Sequence, residues 1–105
     1  MRLTITASCA LLIANSAHAL NMACKCSGEI APIHAIREYT EQCCTTRAIS
    51  FPNGEAHLGI WDIVTKQCRF RLPETQMSLA DGSAGFSRCC GVTGEIWGVT
   101  GGSCE

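Results

Sequence analysis

The sequence has few of the features by which enzymes and nucleic-acid-binding proteins are recognised. Charged residues make up 16% of the 105 residues and the net charge is −1, so no concentrated basic face for nucleic acid is expected. The chain has no Gly-x-Ser-x-Gly nucleophile motif and no Cys-x-x-Cys redox motif. The spacing of Cys24 and Cys26 does not fit the usual spacing of zinc ligands. We therefore predict no enzymatic activity, no nucleic-acid partner and no metal site.

Long apolar runs are also scarce, and the main one lies at the N-terminus. Arg2 is followed by a mostly apolar segment, residues 3–14, and then by the small-x-small motif Ala17-His18-Ala19. This order is typical of a secretory signal peptide. The apolar run is roughly ten residues long, whereas a membrane-spanning helix needs about 20. We predict a signal peptide over residues 1–19, a secreted domain over residues 20–105 and no stable membrane anchoring; the alternative is a buried N-terminal helix.

Cysteine, by contrast, is abundant. One of the nine cysteines, Cys9, lies within the predicted signal peptide and would be lost with it. Those that remain are Cys24, Cys26, Cys43, Cys44, Cys68, Cys89, Cys90 and Cys104. An even number of thiols in a small secreted domain predicts a disulfide framework, here of four bonds. A core of this size is marginal by itself, and each disulfide typically contributes about 2–4 kcal/mol, so we interpret the cysteines as structural.

Local patterns in the first half predict a strand, a helix and a second strand. Cys24 and Cys26 are two residues apart, so on a strand they point to the same face and need different partners. Residues 32–44 begin with proline and carry an apolar stripe at helical spacing, which predicts a helix ending at Cys43-Cys44. Residues 47–51 have β character and precede the turn sequence Pro52-Asn53-Gly54.

The second half predicts a hairpin, a short helix and a final strand. Residues 56–64 are apolar and residues 68–72 alternate, which predicts two paired strands. A loop over residues 73–82 leads to a helix over residues 83–90, with Asp81 or Ser83 as its N-cap and Gly91 as its C-terminal glycine. Residues 94–100 are predicted as the last strand, followed by a flexible Gly101-Gly102.

Together these elements predict an α+β domain. We expect a two-layer sandwich in which a four-stranded antiparallel sheet carries two helices on one face, in the order βαββαβ. Neighbouring residues on a helix diverge by about 100°, so each adjacent cysteine pair reaches two different partners. We hypothesise that every helical cysteine bonds a strand cysteine, while the connectivity itself is left open by the sequence.

The cysteine layout resembles that of the small secreted cysteine-rich proteins of filamentous fungi, many of them candidate effectors. Within this group it is similar to proteins with the killer-toxin-like βαββαβ fold. The matching features are Cys24-Lys25-Cys26, the helices ending at Cys43-Cys44 and Cys89-Cys90, the strand entered at Cys68, and the terminal Cys104. The resemblance implies an extracellular role in virulence or competition, with no cofactor. Hydrophobins also have eight cysteines with two adjacent pairs, but in another order.

Our leading hypothesis is a monomeric, secreted binding protein, most like a fungal effector that acts on a host protein in the host apoplast. The alternatives are a killer-type or antimicrobial toxin against competing microbes, and an inhibitor of a secreted host hydrolase that presents loop 73–82. Trp61 and Asn53, near the Pro52-Asn53-Gly54 turn, are the candidate partner-binding residues, since aromatic side chains often anchor interfaces. His34 and His57 are interpreted as surface or edge residues.

Overall fold

The computed structural model describes residues 19–73 and 78–105 of the chain. Along the chain the elements are β1 (Ala19–Ser27), α1 (Ile33–Thr45), β2 (Ile49–Ser50), β3 (Ala56–His57), β4 (Ile60–Asp62), β5 (Gln67–Pro73), α2 (Leu79–Thr93), a 3-10 helix (Glu95–Trp97) and β6 (Gly101–Cys104). The main sheet has four antiparallel strands in the order β4-β5-β1-β6, and β2 and β3 form a separate two-stranded sheet. The described residues thus form the predicted α+β domain, whereas the predicted signal peptide, apart from Ala19, lies outside them.

The two central strands supply one face of the hydrophobic core. β1 pairs with β5 such that Leu20 is opposite Leu72 and Cys24 is opposite Cys68. Every second side chain is buried along both strands: Met22, Cys24, Cys26, Cys68, Phe70 and Leu72. The alternating residues between them are polar or small, as in a sheet with one covered face. This confirms the strand predicted for residues 68–72 and the shared face of Cys24 and Cys26.

Helix α1 matches its prediction to within one residue at each end. It starts after Pro32, whose missing N–H costs nothing at a helix N-terminus. The side chains that it buries are Ala35, Thr40, Cys43 and Cys44. Thr40 is the one buried polar residue of the described chain, and its hydroxyl accepts a hydrogen bond from the Cys26 amide at 2.9 Å and donates to the Ile36 carbonyl at 2.6 Å. This bond fixes α1 on β1.

Helix α2 is longer than predicted, and both of its predicted ends were wrong. Ser78 is the N-cap, since its hydroxyl accepts a hydrogen bond from the Asp81 amide at 3.1 Å, and Gly91 lies inside the helix. Glycine disfavours helix interiors, which made residues 79–82 read as a loop. Tertiary packing requires a glycine at position 82, because a Cβ there would lie 2.5 Å from Sδ of Met22. At Gly85, a Cβ would lie 2.6 Å from the Ser50 carbonyl oxygen. The glycine therefore lets α2 approach β2 closely.

Two serines of α2 protect the edge strand β6. The Ser87 hydroxyl accepts a hydrogen bond from the Gly102 amide at 3.2 Å, and the Ser83 hydroxyl accepts one from the Cys104 amide at 2.9 Å. Gly102 and Cys104 alternate along β6 with the residues that hydrogen-bond to β1. Their amides therefore point away from β1. An unpaired strand edge is a template for aggregation, so the helix satisfies donors that would otherwise be exposed.

The strand predicted for residues 94–100 was wrong. Residues 95–97 form the 3-10 helix, and the chain then turns at Gly98, whose φ of +82° is a left-handed conformation that suits glycine. The strand is instead β6, which includes the Gly101-Gly102 that we predicted to be flexible. Because Cys104 lies opposite Cys24 in the register, residues 101–104 occupy the edge of β1. Residues 94–100 are left to connect α2 with this edge.

The apolar segment predicted as one strand over residues 56–64 is interrupted. It contributes β3 to the small hairpin and β4 to the main sheet, with Leu58 and Gly59 between them. The amide of Gly59 donates to the Cys44 carbonyl at 2.7 Å, which directs the chain from one sheet to the other. The predicted β segment at residues 47–51 and its following turn are confirmed as the β2–β3 hairpin.

Candidate functional site

All eight predicted disulfide cysteines are paired. The bonds are Cys24–Cys104, Cys26–Cys90, Cys43–Cys89 and Cys44–Cys68. Each adjacent pair reaches two different partners, as predicted. The hypothesis that every bond joins a helix to a strand was wrong for two of them: the first joins two strands and the third joins two helices. Cys24 and Cys104 lie directly opposite each other in the sheet, 4.1 Å apart at Cα, and Cys43 faces Cys89 across the helix–helix contact.

Three sulfurs meet in the centre of the core. The Sγ atoms of Cys26, Cys43 and Cys90 all lie within 4.8 Å of one another and are buried. A metal ion needs thiolates at such distances. Here Cys26 is bonded to Cys90, and Cys43 is bonded to Cys89, so the cluster consists of two neighbouring disulfides. Its role in this structure is to tie α1, α2 and β1 together.

The two predicted partner-binding residues lie in different sheets. Asn53 is exposed in the turn of the β2–β3 hairpin, where its side-chain oxygen accepts a hydrogen bond from the Glu55 amide at 2.9 Å. Trp61 lies on β4, opposite Cys68, and is half-buried against the hydrophobic core. Trp61 is thus only partly exposed, and the partner-binding role of both residues stays a prediction. His34 is exposed and His57 half-buried, in agreement with surface and edge positions.

A more exposed aromatic residue, Trp97, lies at the end of the 3-10 helix. We define the apolar corner as Ile30, His34, Ile96 and Trp97. Exposed fractions are 95% for Ile96, 85% for Ile30 and 52% for Trp97. The ring of His34 meets that of Trp97 edge to face, with centroids 6.2 Å apart.

The apolar corner depends on Gly98. A Cβ at this glycine would lie 2.8 Å from Cγ1 of Ile30, so glycine allows the Ile30 side chain to pack against the backbone beside Trp97. The sequence does not predict this surface, because the pattern of residues 94–100 indicates a strand. The signal that points to it is the pair of glycines, Gly94 and Gly98, that brackets the exposed Ile96 and Trp97.

A cleft of about 370 Å³ lies between the first turns of α1, the end of β1 and the β4–β5 turn. We call it the cationic cleft. Its lining residues include Lys25, Ile33, Ile36, Arg37 and Lys66. Among the described residues that line it, three are basic and none is a carboxylate. The sequence did not predict this site, because a chain of this length leaves little room for a cleft and the three bases are far apart along it.

Asp62 holds the turn that carries Lys66. One of its carboxylate oxygens accepts hydrogen bonds from the amides of Val64 and Thr65, at 3.0 and 3.2 Å, and the other accepts one from Nε of Arg69 at 2.8 Å. The Arg69 guanidinium and these amides hold the pKa of Asp62 well below its ordinary value. The Lys66 amide donates to the Asp62 carbonyl at 2.8 Å. The turn is therefore well anchored.

Lys66 itself has a φ of +58°, the single positive φ among the described residues other than glycine. A left-handed conformation costs an L-residue with a Cβ roughly 1–2 kcal/mol relative to glycine. Its side chain is half-buried at the cleft rather than fully in solvent.

A second depression of about 570 Å³ lies between α2 and the segment that follows it. Its lining includes Arg88 and Glu95, which carry opposite charges. This depression is wider and more open than the cationic cleft. It therefore presents neither a concentrated charge nor an enclosed apolar wall.

Comparisons with known proteins identify no relative. No protein-family model matches the chain, and no curated protein or solved structure is significantly similar to it. Within the described residues, no helix is both long and apolar enough to cross a membrane.

Proposed function

We propose that this chain is a secreted, disulfide-stabilised binding protein that acts as a fungal effector on a host protein outside the cell. The observation that carries the proposal is the apolar corner. Large apolar side chains that are exposed together, with an aromatic residue among them, are typical of surfaces that a partner covers. Tryptophan is favoured at such surfaces because it offers a large apolar area and one polar N–H.

The backbone around the apolar corner is constrained, which favours binding. The Trp97 amide donates to the Gly94 carbonyl, and the Gly98 amide donates to the Glu95 carbonyl, both at 3.0 Å. The flanking elements α2 and β6 are each tied to β1 by a disulfide. A surface that is already ordered loses less entropy when it binds, so more of the contact energy appears as affinity.

The proposed architecture is the two-layer βαββαβ sandwich of the killer-toxin-like proteins. In chain order, the main sheet and the helices follow one another as β1, α1, β4, β5, α2 and β6, with the β2–β3 hairpin as an addition. Cys26 of β1 bonds α2, and Cys68 of β5 bonds α1. Because Cys24 is opposite Cys68 and two residues from Cys26, these side chains share a face, which supports placing both helices on it.

Secretion is supported by the disulfides, because such bonds persist outside the cell and are rare in reducing compartments. We propose that residues 1–19 are removed and that residues 20–105 act in the extracellular space, the apoplast of a plant host. Intact-mass measurement of the exported protein tests this. The expected mass is that of residues 20–105 less the eight cysteine hydrogens lost in four disulfides; a retained N-terminus or free thiols would contradict it.

The role of hydrolase inhibitor has less support than binding through the apolar corner. It required an exposed loop over residues 73–82, but residues 79–82 belong to α2. Residues 74–77 lie outside the described part of the chain.

The toxin alternative differs from the effector proposal in its expected activity. It predicts that the purified protein inhibits the growth of competing microbes.

A pair of double variants tests the proposal. Ile96→Ser with Trp97→Ala removes the apolar corner, and Ile63→Ser with Val64→Ser removes two similarly exposed apolar residues of the β4–β5 turn. The tagged, exported proteins are cross-linked in extracellular fluid of the host. We expect one host protein to be captured by the wild type and by the turn variant, but not by the corner variant. Equal capture by all three, or microbial killing that persists in the corner variant, would overturn the proposal.

A further inference from the structure

We propose that the cationic cleft binds a small amphiphilic anion: an acidic headgroup, such as a phosphate, sulfate or carboxylate, that carries a hydrocarbon chain. This site is separate from the apolar corner. The proposed ligand binding therefore does not depend on the proposed function, and an experiment can contradict one of these two proposals without contradicting the other.

The charges of the cleft are the first reason. Both lysines of the sequence, Lys25 and Lys66, line it together with Arg37, although acidic residues outnumber basic ones by nine to eight in the chain. They come from three different elements. Within the described residues, ion pairs form at His57–Glu55 and Arg69–Asp62, and none involves these three cations. Such a concentration of unpaired positive charge raises the local potential and attracts an anion.

The apolar wall of the cleft is the second reason. Ile33 lines the cleft although its side chain is 61% exposed, and the half-buried Ile36 continues the same wall one helical turn later. An inorganic anion would use the cations and leave this wall in water. A volume of about 370 Å³ lies at the lower end of the range for small-molecule sites, roughly 300–1,000 Å³. It suits a headgroup with a short chain.

The backbone of Lys66 is the third reason. Glycine or asparagine would adopt its left-handed conformation more easily, yet the position holds a lysine whose half-buried side chain lies at the cleft. Sparsely populated conformations are often found at binding sites. The observation also supplies a test, because glycine at this position removes the charge and at the same time relieves the backbone.

The ligand class is tested by calorimetry on the exported full-length product. The probe is decyl phosphate below its micellar concentration, and the comparisons are inorganic phosphate and a neutral decyl glucoside. We expect decyl phosphate to bind at least about tenfold more tightly than either, because only it uses both the cations and the apolar wall. Its affinity is expected to fall as salt is added, since the charges are partly exposed. Equal affinity for inorganic phosphate, or for the neutral glucoside, would overturn the proposal.

The location is tested by Lys66→Gly. We expect this variant to bind decyl phosphate about three- to tenfold more weakly, while its melting temperature stays the same or rises. The triple variant Lys25→Gln, Arg37→Gln, Lys66→Gly should not bind detectably. Arg71→Gln is the matched control, because Arg71 is an exposed cation on β5 that does not line the cleft. An affinity that is unchanged in Lys66→Gly, or lowered equally by Arg71→Gln, would refute the site.

The source of the anion is distinguished by vesicle sedimentation. Vesicles of phosphatidylcholine with 30% phosphatidylglycerol (about the anionic fraction needed for a clear signal) are compared with pure phosphatidylcholine. Sedimentation with the anionic vesicles that is lost in the triple variant identifies a membrane lipid headgroup. Binding of decyl phosphate without sedimentation identifies a free amphiphile. Binding to neither would overturn the proposal.

Discussion

The dipeptide Ile-Trp occurs twice in this chain and adopts a different secondary structure each time. Ile60-Trp61 forms most of strand β4, whereas Ile96-Trp97 ends a 3-10 helix. Trp61 packs against the hydrophobic core, while Trp97 is 52% exposed and forms part of the apolar corner. Both segments have the composition of a strand, so composition does not explain the difference.

The difference follows from the strand edges that are available. β4 pairs with β5, so that Trp61 is opposite Cys68, whose disulfide to Cys44 fixes β5 against α1. On the other side of the sheet, the Cys24–Cys104 bond places β6 on the edge of β1, so this edge is not available to Ile96-Trp97. Disulfide connectivity thus decides which Ile-Trp becomes structural and which becomes surface.

The largest effects on stability are expected from removing disulfides, and Cys44→Ala with Cys68→Ala is the variant that should also expose Trp61. The Cys44–Cys68 bond spans 24 residues in the chain, and its loss should lower the free energy of unfolding by about 2–5 kcal/mol. Since Trp61 lies beside it, acrylamide quenching of Trp61 should also increase, measured in a Trp97→Phe background. Cys24→Ala with Cys104→Ala is the matched control. It should destabilise the protein without exposing Trp61; equal exposure in both variants would contradict our account.

The two tryptophans should respond differently to truncation. Trp61→Ala removes a half-buried side chain from the core and should cost about 1–3 kcal/mol of unfolding free energy. Trp97→Ala removes an exposed side chain and should change it by no more than about 0.5 kcal/mol. Urea denaturation followed by circular dichroism measures both. A larger loss for Trp97→Ala than for Trp61→Ala would mean that the apolar corner is structural.

The smallest expected effect concerns pH and the turn after Ile60-Trp61. The pKa of Asp62 is held below its ordinary value of 3.8, mainly by the hydrogen bond from Arg69. A depressed carboxyl pKa stabilises the fold at pH values above 3.8, and this contribution is lost as the pH falls below it. The wild type should therefore lose more stability between pH 6 and pH 3 than Asp62→Asn does. Glu41→Gln, an exposed carboxylate on α1, is the control and should retain the wild-type loss.

The parts of the fold that were predictable from the sequence have a strong local period. Helix α1 carries its apolar stripe and begins at a proline, and β5 alternates over five residues, so neither depends on distant partners. The ends of α2 were not predictable in this way. Gly82 and Gly91, which lie next to the predicted ends, lower helix propensity, and only their close approach to Met22 and to the Thr100 carbonyl shows why glycines lie there. Likewise, the pairing of Cys43 with Cys89 depends on how two helices meet.

The sequence by itself determined the class of protein: the eight cysteines that follow the predicted signal peptide predict four disulfides, and local patterns predict two helices and a small sheet. Only the tertiary structure decided which cysteines meet, which tryptophan is exposed and that Lys25, Arg37 and Lys66 share one cleft. The physical reason is one of range. Periodicity and capping act over a few residues. Disulfide pairing, the exposure of a tryptophan and the formation of the cleft depend instead on contacts between residues that are far apart in the sequence.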